Sequence, residues 1–253
     1  MANRKTLIRV LSLLFISPLV AAEQITIAVA SNFTGPMEQI VARFQQQTGH
    51  QVRLSFGSSG KFFAQIQHHA PFQAFFSADQ AKPRALEQAG LAVPGSRFTY
   101  AVGALVLWSA DPERVDKAGR VLARGDFKRL ALANPKLAPY GAAAVQTLAH
   151  LGLAESTRPR WVKGENISQT YQFVSSGNAE LGFVALSQVM QRGEVRGGSH
   201  WRVPAEYHAP IRQDAVLLQR GADSDAARAL LDFVQGPEAR SIMAAFGYGA
   251  FND

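Results

Sequence analysis

Between residues 25 and 90 the chain alternates strand-like and helix-like segments three times over, and this alternation restricts the fold more than any other feature. ITIAVAS (25–31) is short, apolar and β-branched, which predicts a buried parallel strand. NFTGP follows it, with Thr34 as an N-cap and Pro36 in a first helical turn. Met37, Ile40, Val41 and Phe44 then recur at helical spacing, and Gly49 ends the helix. QVRLSF (51–56) alternates like a strand, GSSG leads into a helix over Phe62 to His69, and FQAFFSA (72–78) is a third strand. A helix at 82–89 stops at Gly90. This order predicts a parallel α/β sheet, with ligands held at the carboxyl ends of strands where helices begin.

YAVGALVLWSA (100–110) reads as one long apolar strand that crosses into another unit. A helical stretch at 117–123, the strand RLALANP (129–135), a helix after Tyr140 and Gly141, a helix in NISQTYQFVSSG (166–177) and the strand LGFVAL (181–186) build that second α/β unit over 104–208. IRQDAVLLQRG (211–221) returns to the first unit, and helices at 223–235 and 237–246 close the chain. The expectation is an α/β protein of two lobes with a ligand cleft between them. Lobe 1 is 23–103 plus 209–253 and lobe 2 is 104–208. Two crossings, near 101–104 and 208–212, form the hinge.

The ends and the composition restrict where such a protein works. Arg4, Lys5 and Arg9, an apolar run from Val10 to Val20 and the small residues Ala21 and Ala22 read as a cleaved export signal over 1–22. That run is too short to span a bilayer and Pro18 interrupts it. No later segment predicts membrane insertion. The chain has no cysteine, which excludes disulfides, thiol catalysis and a lipid-modified cysteine. Without an anchor, an exported protein is retained only by a second membrane, so the expected location is the periplasm. Removing the three signal cations from 26 basic residues leaves 23 against 19 acidic ones. The basic residues are scattered, with no nucleic-acid-binding arm.

The function turns on SFGSSGKFF (55–63), for which three chemistries compete. A nucleotide phosphate loop needs glycine at position 55 and a hydroxyl after the lysine, where this chain has Ser55 and Phe62. A serine hydrolase would use Ser58 with Lys61 as base, in S-x-x-K spacing, but the S-D-N and K-T-G partners are missing. The third reading is an anion trap. Helix N-termini carry unpaired N–H donors and partial positive charge. Four helix starts, at Ser31-Asn32, Ser58-Ser59, Tyr140-Gly141 and Asn166-Ile167, are expected to meet in the cleft. Ordinary capping explains any one of them alone. The histidines form no metal-binding spacing, and no cofactor and no catalytic residue is expected. The remaining alternatives are the Ser58/Lys61 hydrolase and an interaction module with a vestigial cleft.

Several segments together, AVASNFTGPM (28–37), FGSSGKFFAQI (56–66), FFSADQ (75–80), NPKLAPYG (134–141), GENISQTYQFVSSGNAELGFV (164–184) and FVQGPEARSIMAAFGYG (233–249), resemble the periplasmic molybdate-binding proteins of ABC transporters over nearly the whole chain after the signal. The resemblance implies the type II periplasmic-binding-protein fold. It also implies a dehydrated molybdate or tungstate oxyanion held between the lobes, and an inner-membrane ABC permease as partner to a monomer. Carried over by position, it implies Ser31, Asn32, Ser59, the backbone N–H and hydroxyl of Tyr140, and the backbone N–H of Ile167 as ligands. The metal is touched only through the oxyanion oxygens. Ala185 stands where some family members have a tyrosine, and Gln73 where an aspartate is usual. Binding of sulfate, phosphate or another tetrahedral oxyanion is the alternative within the same class.

Overall fold

The computed structural model describes residues 22–191 and 193–249; residues 1–21, all but the last of the expected export signal, and 250–253 lie outside the described residues. The apolar run after residue 24 forms β1 (Gln24–Ala30). Ile25, Ile27, Ala28, Val29 and Ala30 are all buried, as a strand covered on both faces requires. A single 3₁₀ turn, Ser31–Phe33, follows and leads into α1 (Thr34–Thr48). Thr34 is therefore inside the helix and does not cap it; its hydroxyl donates to the Ser31 carbonyl at 2.9 Å. Met37, Ile40, Val41 and Phe44 are buried along one face of α1. Each is worth about 1.5–3 kcal/mol of apolar burial. Gly49, at φ +76°, supplies the left-handed stop.

The chain continues through β2 (Gln51–Gly57), α2 (Ser59–Gln67), β3 (Ala74–Phe76), α3 (Ala81–Gln88) and β4 (Phe98–Gly103). It then passes through Ala104 into β5 (Leu105–Ser109). The long strand expected over 100–110 is thus two strands belonging to two different sheets, divided at Ala104. Next come α4 (Val121–Arg124), shorter than the helix expected at 117–123, β6 (Leu130–Ala133), α5 (Pro139–His150), α6 (Ala154–Thr157), β7 (Trp161–Gly164), α7 (Ile167–Ser175), β8 (Leu181–Ala185) and α8 (Leu186–Val189). A hairpin of β9 (Met190–Gln191) and β10 (Glu194–Val195) precedes β11 (Ser199–Arg202), β12 (Ile211–Leu217), α9 (Asp225–Gln235) and α10 (Pro237–Ala245).

Two five-stranded sheets result, in the order β2-β1-β3-β12-β4 and β11-β5-β8-β6-β7. Both are mixed, where a parallel sheet was expected. β12 runs antiparallel to β3 and β4, and β5 runs antiparallel to β8 and β11. Direction is set by which sheet a strand returns to, and that is not a local property. Helices flank both sheets in a two-lobed, type II periplasmic-binding-protein fold. Among the described residues no helix is long and apolar enough to cross a membrane.

β12 carries the one fully buried carboxylate among the described residues. Asp214 is 0% exposed. It accepts from Arg97 Nη1 at 2.5 Å, Thr99 Oγ1 at 2.7 Å and Gln80 Nε2 at 3.1 Å. A buried charge stripped of its counter-ion is strongly destabilising. Arg97→Ala is expected to remove about 3 kcal/mol and lower the melting temperature by roughly 6–12 °C. A fall under about 2 °C in a calorimetric melt would show that the two neutral donors suffice.

Candidate functional site

Four strand-to-helix turns, two from each lobe, meet at the seam between the sheets. From lobe 1, β1 ends in the Ser31–Phe33 turn, and β2 ends in Gly57-Ser58 before α2. Ser58 caps α2 by accepting from the Lys61 backbone N–H at 3.4 Å. From lobe 2, β6 leads through Asn134 to Ala138 into α5, and β7 leads into α7, which Asn166 caps by accepting from the Gln169 N–H at 3.0 Å. Ser31, Asn32, Ser59, Tyr140 and Ile167 all line one cavity of about 10 Å³ between these turns, with Ala30, Gly57, Ser58, Ala78, Ala138 and Pro139 completing its walls. Among the described residues no acidic or basic side chain lines it. Clefts for drug-sized ligands run to about 300–1,000 Å³, so this cavity has room only for a very small guest.

What points into it is a set of hydrogen-bond donors. Asn32, Ser59, Tyr140 and Ile167 each lie in the first turn of a helix, where the backbone N–H has no intrahelical acceptor. Ser59 is 1% exposed, and its hydroxyl oxygen accepts from the Ala78 N–H at 2.9 Å, which leaves its proton to donate elsewhere. Ser31 is also buried, and its carbonyl accepts from Ser168 Oγ across the seam at 3.1 Å.

Two side chains have other duties. Both amide hydrogens of Asn32 are spent inside the protein, on Gln213 Oε1 at 2.8 Å and on the Tyr248 hydroxyl at 2.9 Å. The group Asn32 offers to the cavity is its backbone N–H. The Tyr140 hydroxyl accepts from Gln213 Nε2 at 3.2 Å, so it serves β12. Gly103 makes room for it: a Cβ there would sit 2.0 Å from the Tyr140 oxygen. Ala185 is packed in the same buried cluster as Tyr140.

Gln213, Tyr248 and Ser187 do not line the cavity but hydrogen-bond to Asn32, and were not expected from the sequence. One proton assignment satisfies the group. Asn32 donates to Tyr248, Tyr248 donates to Ser187 Oγ at 3.1 Å, and Ser187 donates to the Asn32 carbonyl at 2.8 Å. Tyr100 donates to Gln213 Oε1 at 3.0 Å. Tyr248 could have been looked for in the closing FGYG segment; Gln213 carries no local signal.

At the rim, Lys61 Nζ pairs with Glu165 Oε1 at 2.8 Å, across the seam. The Lys61 amine therefore serves the opposite lobe, and Ser58 Oγ is a helix cap; no serine–base couple is made. A groove of about 320 Å³ shares Ala78, Ala138 and Pro139 with the cavity and so lies beside it. Exposed Lys136 and Arg212 stand there, with Lys82 paired to Asp79.

Burial keeps the phenols neutral. It pushes Tyr100 and Tyr140 well above the ordinary tyrosine value and raises Tyr248 from 10.0 to about 12. Raised folded-state values mean the contribution to stability is complete below pH 10 and is lost as pH climbs through about 12. The melting temperature is expected to hold level with respect to these groups up to about pH 9 and to fall between about pH 10 and 12, less steeply in Tyr248→Phe. An identical fall in the variant would remove Tyr248 from the explanation.

Comparison with known proteins places this geometry. Residues 25–249 match the family of bacterial extracellular solute-binding proteins. The chain is 56% identical over 228 residues to the molybdate-binding protein ModA of Azotobacter vinelandii, covering 90% of each. It is 52% identical over 228 residues to ModA of Rhodobacter capsulatus, covering 90% of this chain and 89% of that one. Among solved structures, the periplasmic molybdate-binding protein of Azotobacter vinelandii superposes with a TM-score of 0.88 at 44% identity, over 90% of this chain and 100% of that one. The chain belongs to the bacterial extracellular solute-binding protein family.

Proposed function

We propose that this chain is a periplasmic binding protein that closes on molybdate or tungstate and delivers the anion to an ABC permease in the inner membrane. The observation that carries the reading is a cavity of about 10 Å³ lined by helix-start N–H groups and serine hydroxyls, with no charged side chain in its walls. Such donors stabilise a dianion through charge-assisted hydrogen bonds and helix dipoles. The relatives at 56% and 52% identity are molybdate binders by name, which selects the anion. Ser31, Asn32, Ser59, Tyr140 and Ile167 are the proposed ligands, with Asn32, Tyr140 and Ile167 acting through the backbone.

The wall chemistry bears on competitors. Phosphate at neutral pH carries a proton that needs an acceptor, and no carboxylate lines the cavity. Sulfate is fully ionised like molybdate, so only size separates the two. Lys136 and Arg212 in the adjoining groove give a local positive field that favours arrival of an anion.

Thermal melts of residues 23–253 test the reading with molybdate, tungstate, sulfate and phosphate. A bound anion at about 1,000 times its dissociation constant adds about 4 kcal/mol, a rise of roughly 8–16 °C. Molybdate and tungstate are expected to give that rise. A rise with sulfate or phosphate instead would change the nutrient, and no rise with any of the four would end the oxyanion reading. Ser59→Ala removes a hydroxyl donor to a charged ligand, worth about 1.5–3 kcal/mol, and is expected to weaken molybdate binding by roughly 10–150-fold in titration calorimetry.

A further inference from the structure

Resting on the oxyanion reading, we infer that Gly60 sets the size of the anion accepted, by fixing how closely the two lobes approach. Gly60 follows Ser59 in α2, and Leu137 lies three residues before Tyr140 in the turn leading to α5. The Gly60 N–H donates to the Leu137 carbonyl at 2.8 Å, a backbone-to-backbone bond from lobe to lobe. A Cβ on Gly60 would lie 2.9 Å from Leu137 Cα and 3.0 Å from its carbonyl oxygen. These are main-chain atoms, so no rotamer change can relieve the contact. The lobes touch here with no side chain between them.

The glycine has no conformational reason to be there. It is inside α2 and is absent from the positive-φ residues, so alanine would suit its backbone. Alanine is also the better helix former, by up to about 1 kcal/mol in a helix interior. Gly60 does not itself line the cavity. It acts through its neighbours: Ser59 is one residue away on one wall and Tyr140 three residues from Leu137 on the other. The other contacts across the seam nearby, Lys61–Glu165 and Ser168–Ser31, involve side chains and can stretch. The Gly60–Leu137 contact is main chain on both sides and no rotamer change lets it come closer, and so it sets the closest approach of the walls that the anion's oxygens must span. Gly60 is a positioning residue for specificity.

Gly60→Ala widens that gap by a few tenths of an ångström. N–H···O bonds weaken as they lengthen past about 3.2 Å, so an anion too small to reach both walls suffers most. The test is competition titration of wild type, Gly60→Ala and Lys61→Ala against sulfate, selenate, chromate, molybdate and tungstate, dianions of increasing size. In Gly60→Ala the loss is expected to grow as the anion shrinks, from about threefold for tungstate to about thirtyfold for selenate. Its melting temperature without anion stays within about 2 °C of wild type. Lys61→Ala loosens the closed form without altering the gap, and loses the same factor, at most about fivefold, for every anion. A uniform loss or none in Gly60→Ala, with wild type binding normally, overturns the inference and leaves the oxyanion reading intact. Absence of binding by wild type overturns both.

Discussion

A helix that begins in a place closed to water has a hydrogen-bonding debt at its first turn, and this molecule brings four such turns together. The N–H groups of Asn32, Ser59, Tyr140 and Ile167 lack intrahelical acceptors by the geometry of the helix. An acceptor with several oxygens can satisfy donors that arrive from both sides. The fold exists to hold those four starts: each follows a strand, and the strands lie near the middle or one end of two sheets whose own cores are apolar.

The seam is held by neutral groups. Asn32 is the centre of it, because its amide reaches Gln213 and Tyr248 while its carbonyl accepts from Ser187. Gln213 carries the connection on to Tyr140 and Tyr100. Every buried side-chain nitrogen and oxygen among the described residues has a partner. A satisfied buried network favours a single arrangement, since each misplaced member would leave an orphaned polar group. The charges, Lys61 with Glu165 and the cations of the adjoining groove, stay outside, where solvent screens them.

The candidate site was legible where its signal is local. Cap chemistry after a strand, as in Ala30-Ser31-Asn32 or Gly57-Ser58-Ser59, is written within a few residues, and Asn166 reads as a cap without knowledge of the fold. Gln213 and Ser187 were illegible because their partner Asn32 lies 181 and 155 residues away, and Tyr248, though it stands in a recognisable closing segment, gives no sign of its partner 216 residues away. The strand break at Ala104 was hidden for a related reason: apolar residues run through it without interruption, and only membership of two sheets divides them. Gly60 reads locally as part of a small-residue turn, and the reason for it sits in the other lobe. The run IRQDAVLL announced a strand, yet its antiparallel placement is a matter of where the chain has been.

That placement has a consequence for the order of assembly. β12 lies between β3 and β4, so the sheet of lobe 1 lacks an inner strand until residues 211–217 have been made. Before then β4 has no neighbour to pair with, and the ladder of β2, β1 and β3 exposes an unpaired edge. The five strands of the second sheet all fall within residues 105–202 and are complete earlier. The later-starting lobe can finish first, while the amino-terminal half waits for a strand encoded near the other end. Such long-range pairing folds slowly, because the intervening loop must close before any contact repays it. A nascent chain of this topology has an unfinished first sheet until nearly all of it has emerged.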